Sequence, residues 1–311
     1  DLKRMQILAA LLLCGAAWCS VSHALPPTLD AATDPLLGTR PLHPNVALAL
    51  SVEYPTVGAA FNRISYAAGT QYVGYFDSGT CYTYDSTNQW FVPAGASNAN
   101  YSCSGKFSGN FMNWATLSSI DIFRYAMTGG HRVVDTTSTT VLSRTYLPSG
   151  ESTASGMSQP TNFFANSTYF ARRWVSTSES GNNNNFARVA PSTVTPFTPN
   201  RISVVNCRDE VLFGAYTSGT NSCASPSTDA RFSTDGSSTV RRYKVRVKVC
   251  DSTEGPNRTD FCGSYPNNGS TIYKPIGQIQ KNADNMRFSA FGYLMDQNTS
   301  RYGGVLRAPM K

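Results

Sequence analysis

Cysteine is the residue type whose spacing in this chain most clearly implies chemistry. Of the eight cysteines, Cys14 and Cys19 lie in an apolar N-terminal leader. The other six fall in three local pairs: Cys81 with Cys103, Cys207 with Cys223, and Cys250 with Cys262. An even set in an exported chain reads as disulfides. Closing loops of this size stabilises by about 3 kcal/mol each in the chain-entropy picture. The competing chemistry is zinc ligation, which wants closely spaced N and S ligands. No CxxC occurs, and beyond the leader the histidines are His43 and His131 alone, so disulfides are expected.

Catalysis finds little support in the residue pattern. Serines are plentiful, but only His43 and His131 could serve one as a base. His43 sits in a Pro-rich stretch and His131 follows a helix stop. No GxSxG elbow, HExxH pair or phosphate-binding Gly loop is present. The expectation is a protein without catalytic residues or a bound cofactor. A different chemistry is offered by Arg242, Lys244, Arg246 and Lys248, next to Arg241. This basic stripe is a candidate contact face for DNA, anionic lipid or an acidic partner. The plainer reading, preferred, is the solvent side of an antiparallel strand, where charge also discourages edge pairing. No nucleic-acid partner is expected. Trp114 and the tyrosines between Tyr72 and Tyr84 could form a sugar or receptor platform, but aromatics beside a disulfide more often make a local core.

The compartment follows from the first 24 residues. Lys3 and Arg4 precede an apolar stretch, Ile7 to Trp18, and Ser22-His23-Ala24 offers small residues at a cleavage site. Residues 1–24 therefore read as a secretory signal peptide. The stretch is shorter than the roughly 20 apolar residues of a membrane span, and no later segment approaches that length. Leu13 and Trp18 stand where lipidation of Cys14 or Cys19 would want a small residue. The opening Asp1 and the closing GGVLRAPMK read as edges of a fragment. Without Lys3, Arg4 and Asp1 the formal net charge falls from +7 to +6, and charged residues make up only 14% of the chain. A surface rich in Ser, Thr, Asn, Gly and Tyr suits an extracellular adhesive protein better than a polyanion binder.

These residues need elements to position them. Residues 25–43 are Pro-punctuated and read as an extended leader. Asn45 to Leu50 (NVALAL) is a short apolar run that suits a buried strand. Residues 65–107 carry the first cysteine pair in a Tyr/Gly/Ser-rich excursion. One amphipathic helix is expected from Phe111 to Met127. Its core face would hold Phe111, Met112, Ala115, Ile122, Phe123, Ala126 and Met127, and its polar face Asn113, Asp121, Arg124 and Thr128. Asn110 is the expected cap and Gly129-Gly130 the stop. Val133 to Leu147 reads as a β-branched hairpin, and 148–200 as mostly loop. Arg201–Val205 is expected as a strand. Tyr243–Val249 is expected as one strand with alternating apolar and basic faces. Pro275–Asn285 suits a short helix, and Met286–Met295 a central strand.

Four of these segments, in this order, resemble the N-terminal region of PilY/PilC-type pilus proteins. They are PNVALALSVEYPTVGAAF (44–61), YVGYFDSGTCYTYD (72–85), SGNFMNWATLSSIDIFRYAMTGGHRVVD (108–135), and VKVCD (247–251) with YKPIGQIQKNADNMRFSAFGYLMD and RYGGVLRAPMK. The FMNWAT, DIFR and RFSAFGYL elements are the specific part. The resemblance implies an α/β fold: an incomplete von Willebrand A-like (Rossmann-type) core over 44–311. A large, mostly β and loop insertion at about 131–274, stapled by disulfides, would interrupt it. NVALAL would be the first core strand, Phe111–Met127 the first helix and MRFSAFGYL the second strand. A β-propeller-like domain, with any calcium site of the family, would lie downstream and is absent from this sequence.

One departure from the implied pattern concerns metal. A functional A domain carries DxSxS after its first strand, supplying oxygen ligands to a divalent cation. Ser51, Glu53 and Pro55 stand at those three positions, so the cation loop is degenerate and no metal is expected. The resemblance further implies a non-enzymatic adhesin at the tip of a type IV pilus, exported through the periplasm to the cell surface. It would take part in pilus assembly and attachment, with minor pilins as partners and host or abiotic surfaces as targets. Two rivals are a secreted A-like binding protein unconnected to pili and a secreted hydrolase with an inserted β region.

Overall fold

The computed structural model describes residues 43–50, 54–61, 63, 65–147, 173–176, 186–191, 201–215, 240–293 and 304–309. The chain divides into a unit 1–44 and a unit 45–311. The expected signal peptide and nearly all of the leader lie outside the described residues, as do Ser51 and Glu53 of the degenerate loop and Cys223.

Among the described residues the elements run as follows. Strands β1 (Asn45–Leu50), β2 (Thr80–Asp85), β3 (Trp90–Ala96) and β4 (Phe107–Ser108) precede helices α1 (Gly109–Thr116) and α2 (Ser119–Thr128). After them come β5 (Arg132–Asp135), β6 (Thr140–Ser143), β7 (Arg173–Ser176), β8 (Arg201–Cys207), β9 (Glu210–Ala215), β10 (Val240–Lys244) and β11 (Arg246–Val249). The chain then makes β12 (Cys262–Asn267), β13 (Ser270–Pro275), the single turn α3 (Gln278–Lys281), β14 (Arg287–Tyr293) and β15 (Gly304–Ala308). The class is mixed α/β, with more strand than helix.

A three-stranded sheet has the order β1-β14-β15. β1 pairs in parallel with β14, Asn45 facing Arg287 and Leu50 facing Gly292. Parallel neighbours need a crossover connection, and the chain between them supplies it. Met286–Met295 was expected as a central strand, and β14 is central in this sheet. β1 is less buried than its apolar run implies: Val46, Leu48 and Leu50 are half-buried, while Ala47 and Ala49 are exposed. An apolar run registers propensity for a strand, whereas its burial depends on what covers the sheet.

Two larger sheets hold the rest. One has the order β10-β9-β8-β7, antiparallel throughout, and the other the order β4-β2-β3-β11-β6-β5. β12 and β13 form a separate hairpin. The expected hairpin after Val133 is β5–β6. The segment 243–249 is not one strand: the chain leaves the first of these sheets at Lys244 and enters the second at Arg246. Val245 turns the corner, donating to the Asp209 carbonyl (2.8 Å) and accepting from the Arg144 N–H (3.1 Å). The alternation survives the change of sheet, because Val245, Val247 and Val249 are all buried.

The expected single helix is likewise two. Leu117 is extended (φ −84°, ψ 141°), and Ser118 restarts the helix. Its N–H and Oγ both donate to Asp121 Oδ2 (3.1 and 2.6 Å), so the third residue of the helix reaches back to satisfy the capping residue's N–H. The cap of α1 is Ser108, whose Oγ accepts from the Phe111 N–H (3.3 Å). Gly129, left-handed at φ 78°, ends α2 as expected. α1 is buried on every side, packed in a core of Tyr66, Tyr72, Phe91, Trp114, Phe186 and Phe213. Edge-on and stacked ring pairs run through that core: Phe91 with Phe107 (5.0 Å), Phe111 with Phe213 (5.9 Å), Tyr84 with Tyr243 (4.8 Å). Such pairs add about 0.5–1.5 kcal/mol each beyond area burial. α1 lies against β2 and β4.

Candidate functional site

The cysteines set the frame. Cys81 is bonded to Cys103, joining the start of β2 to the segment before β4, and Cys250 to Cys262, joining the end of β11 to β12. Cys207 is disulfide-bonded as well, and its expected partner Cys223 is outside the described residues. Loop closure restricts the unfolded chain, somewhat more for the 22-residue separation than for the 12-residue one.

Along β10 and β11 the basic stripe is met by carboxylates. Arg242 is ion-paired with Glu210, Lys244 and Arg246 share Asp209 (3.3 Å each), and Lys248 meets Asp251 (3.5 Å). The two acids of the β8–β9 turn were not singled out beforehand, because they lie more than 30 residues away in the chain. The side chains of these pairs are partly buried, and solvent still screens them enough that each contributes about 1 kcal/mol. Their larger effect is on recognition, since a cation already facing a carboxylate offers little attraction to a polyanion.

The candidate aromatic platform is mostly interior: Trp114, Tyr72, Tyr75 and Tyr82 are buried and Tyr84 is half-buried, and the Trp114 indole donates to the Arg63 carbonyl (3.1 Å). Pro55 stands in a single turn of 3-10 helix, Tyr54–Val57. Among the described residues no cluster of His, Cys, Asp and Glu could hold a metal ion. His43 and His131 both lie at the surface. Partial burial, aided by the Arg124 charge, lowers the pKa of His131, so its ring is neutral near pH 7.

A buried polar network, not foreseen from the sequence, holds the Tyr-rich loop to the helices. The Asn113 side chain donates to the carbonyls of Tyr72 (2.7 Å) and Phe76 (2.8 Å) and accepts from the Phe76 N–H (3.1 Å). Asn110 accepts from the Tyr72 N–H (2.6 Å) and donates to Thr70 and Tyr66. Arg144 is fully buried against Asn206, which also donates to the Ala115 carbonyl (2.8 Å). Burial pulls the Arg144 guanidinium down to about 10 despite the pull of Asp121 and Asp209. Arg258 pairs with Glu254 (2.9 Å), donates to the Gly74 carbonyl (3.2 Å) and lies over the Phe261 ring. The one available signal was the repeated Asn in GNFMNW, polar residues inside an otherwise apolar helix. These groups satisfy loop carbonyls, and they orient no nucleophile or leaving group.

Among the described residues, no helix is long and apolar enough to cross a membrane. Residues 63–193 match the family described as "PilY1 homolog, small alpha/beta domain". Two proteins of Xylella fastidiosa (strain Temecula1 / ATCC 700964), each named Type IV pilus biogenesis factor PilY1 homolog, are similar to the chain. One is 32% identical over 308 residues, covering 94% of this chain and 23% of the relative. The other is 30% identical over 251 residues, covering 76% of this chain and 16% of the relative. The chain thus spans less than two thirds of either relative's length. No solved structure matches it. With the matched region running from the loop before β2 through α1 and α2 to the β7 region, the chain belongs to the PilY1-homolog family.

Proposed function

We propose that this chain is the signal-bearing portion of a type IV pilus biogenesis factor that acts without catalysis in pilus assembly and surface attachment. The observation that carries this reading is the similarity over 94% of the chain to a relative of that name. The disulfides accord with export, because such bonds persist in oxidising compartments. On this reading the protein passes through the periplasm to the pilus tip, where minor pilins contact it and host or abiotic surfaces are its targets. The parallel pair β1–β14 would open a von Willebrand A-like core that further chain completes, and any calcium would bind in that further chain. An in-frame deletion of the gene tests the reading. Piliation, twitching and attachment are expected to fall together and to return on complementation. Unchanged pilus number, twitching and adhesion would rule the reading out.

A further inference from the structure

The β5–β6 turn, the loop after β11 and the β12–β13 hairpin border an open cleft of about 380 Å³, whose Thr137, Ser138, Ser252 and Thr271 are exposed. That is within the size range of small-molecule sites, about 300–1,000 Å³, but the lining is hydroxyl-rich rather than apolar. Thr137 and Ser138 come from the first turn, Ser252 from the loop, and Thr271 with Asn267 from the hairpin. Among the described residues no protein group takes up the side-chain donors and acceptors of these five. Half-buried Ile272 and Tyr273 supply apolar surface beside them.

The walls are held before any ligand arrives. Thr136 and Thr139 close the first turn on each other (2.9 and 3.1 Å). Asp251 accepts from the N–H groups of Thr253 and Glu254 (3.0 and 2.9 Å), and the Cys250–Cys262 bond joins the loop to the hairpin. Lys274 ties the two hairpins together, donating to Asp135 (2.7 Å) and to Thr140 (2.9 Å). Preorganised walls lower the ordering cost of binding.

Charge selects the ligand class. Lys248 is met by Asp251 and Lys274 by Asp135, so neither an anion nor a cation finds an uncompensated partner. Asp251 is the only carboxylate of the lining, and both its oxygens are engaged. Hydroxyls that both donate and accept, next to one aromatic ring, complement a molecule with hydroxyls on its edges and C–H groups on its faces. We propose that this cleft binds a neutral saccharide, one or two rings in size. The proposal goes beyond the pilus reading and does not depend on it.

The test uses the purified full-length exported protein. Lactose, maltose and chitobiose are titrated by saturation-transfer NMR, with sialyllactose as an anionic comparison, and hydrogen-exchange mass spectrometry locates the contact on the wild type. At least one neutral sugar should bind saturably and protect 248–253 and 267–273. The double variant Ser252→Ala, Thr271→Val should weaken binding by about tenfold, the loss of two hydrogen bonds. Tyr146→Ser, exposed and outside the cleft, should leave it unchanged. The proposal is overturned if no neutral sugar binds, if protection falls elsewhere, if the double variant binds as tightly as wild type, or if sialyllactose is preferred in a salt-sensitive manner. Should the double variant fail to fold, the wild-type protection map decides. Binding without any effect on piliation would support the cleft while counting against the pilus reading, and the reverse result would do the opposite.

Discussion

Asp121 accepts from the N–H and Oγ of Ser118, the N–H and Oγ1 of Thr145 (2.7 and 2.9 Å) and the Tyr75 hydroxyl (3.3 Å). It is fully buried, while Phe123, two residues on, is 37% exposed. Removing the acceptor strands several buried donors at once, each costing about 1–3 kcal/mol. Asp121→Ala should therefore lower unfolding free energy by about 3 kcal/mol or more, and Phe123→Ser by less than about 1, measured by denaturant midpoints. The helical wheel arranges these two residues the other way round. Its premise is that polar residues face water, and it fails where a polar side chain answers loop carbonyls and N–H groups inside the protein. Asp251 gives a pH-dependent counterpart. Burial opposes its ionisation, but the Glu254 and Thr253 N–H groups and Lys248 outweigh it and hold its pKa below the usual 3.8. Because the folded value is lower than the unfolded one, the stabilisation is present above pH 3.8 and is lost as pH falls through the folded value. Asp251→Asn should reduce stability at pH 6 by about 1 kcal/mol, its side chain being partly buried and its ion pair with Lys248 partly screened by solvent. The difference from wild type should shrink progressively in melts taken below pH 3.8.

At the scale of elements, α2 and the end of β13 approach so closely that only glycine fits. A Cβ on Gly129 would lie 2.6 Å from Ile276 N, and one on Gly277 would lie 2.2 Å from the Met127 carbonyl carbon. Gly129 is also left-handed, so Gly129→Ala combines an unfavourable φ with a backbone clash. It should destabilise by at least about 1 kcal/mol in thermal or urea unfolding, more than alanine at Gly269, which is left-handed but open to solvent. The Gly-Gly stop was legible because a helix end needs a residue free to take positive φ. The break at Leu117–Ser118 was less so. Both halves keep an apolar character, and only the Ser118–Asp121 cap, read locally, marks the restart. The alternation of 243–249 was legible as a pattern of sides. It carried no information on partners, which is why one apparent strand serves two sheets.

For the whole molecule, the three-stranded sheet stands out by its exposure. Phe291 on β14 faces Leu306 on β15, and the two are 44% and 50% exposed. Exposed apolar pairs on a small open sheet favour association. Residues 25–311 produced alone should self-associate, and Phe291→Glu or Leu306→Glu should raise the monomer fraction by size-exclusion chromatography. A wild-type fragment that is monomeric and melts cooperatively would contradict this. By itself the sequence indicated the Cys81–Cys103 and Cys250–Cys262 pairs and the strand or helix character of most segments. These depend on local composition, periodicity and turn chemistry. Tertiary structure alone decided that Asp209 and Glu210 pair with Arg242, Lys244 and Arg246 of the basic stripe, that Asn110, Asn113 and Asp121 lie inside, and that a turn, a loop and a hairpin border one hydroxyl-lined cleft. Those facts depend on contacts between residues distant in the chain, and local patterns do not encode which distant segment becomes a neighbour. The six cysteines show both sides: their local spacing announced the pairing of Cys81 with Cys103 and Cys250 with Cys262, but only the fold placed the second of these bonds in the wall of a cleft.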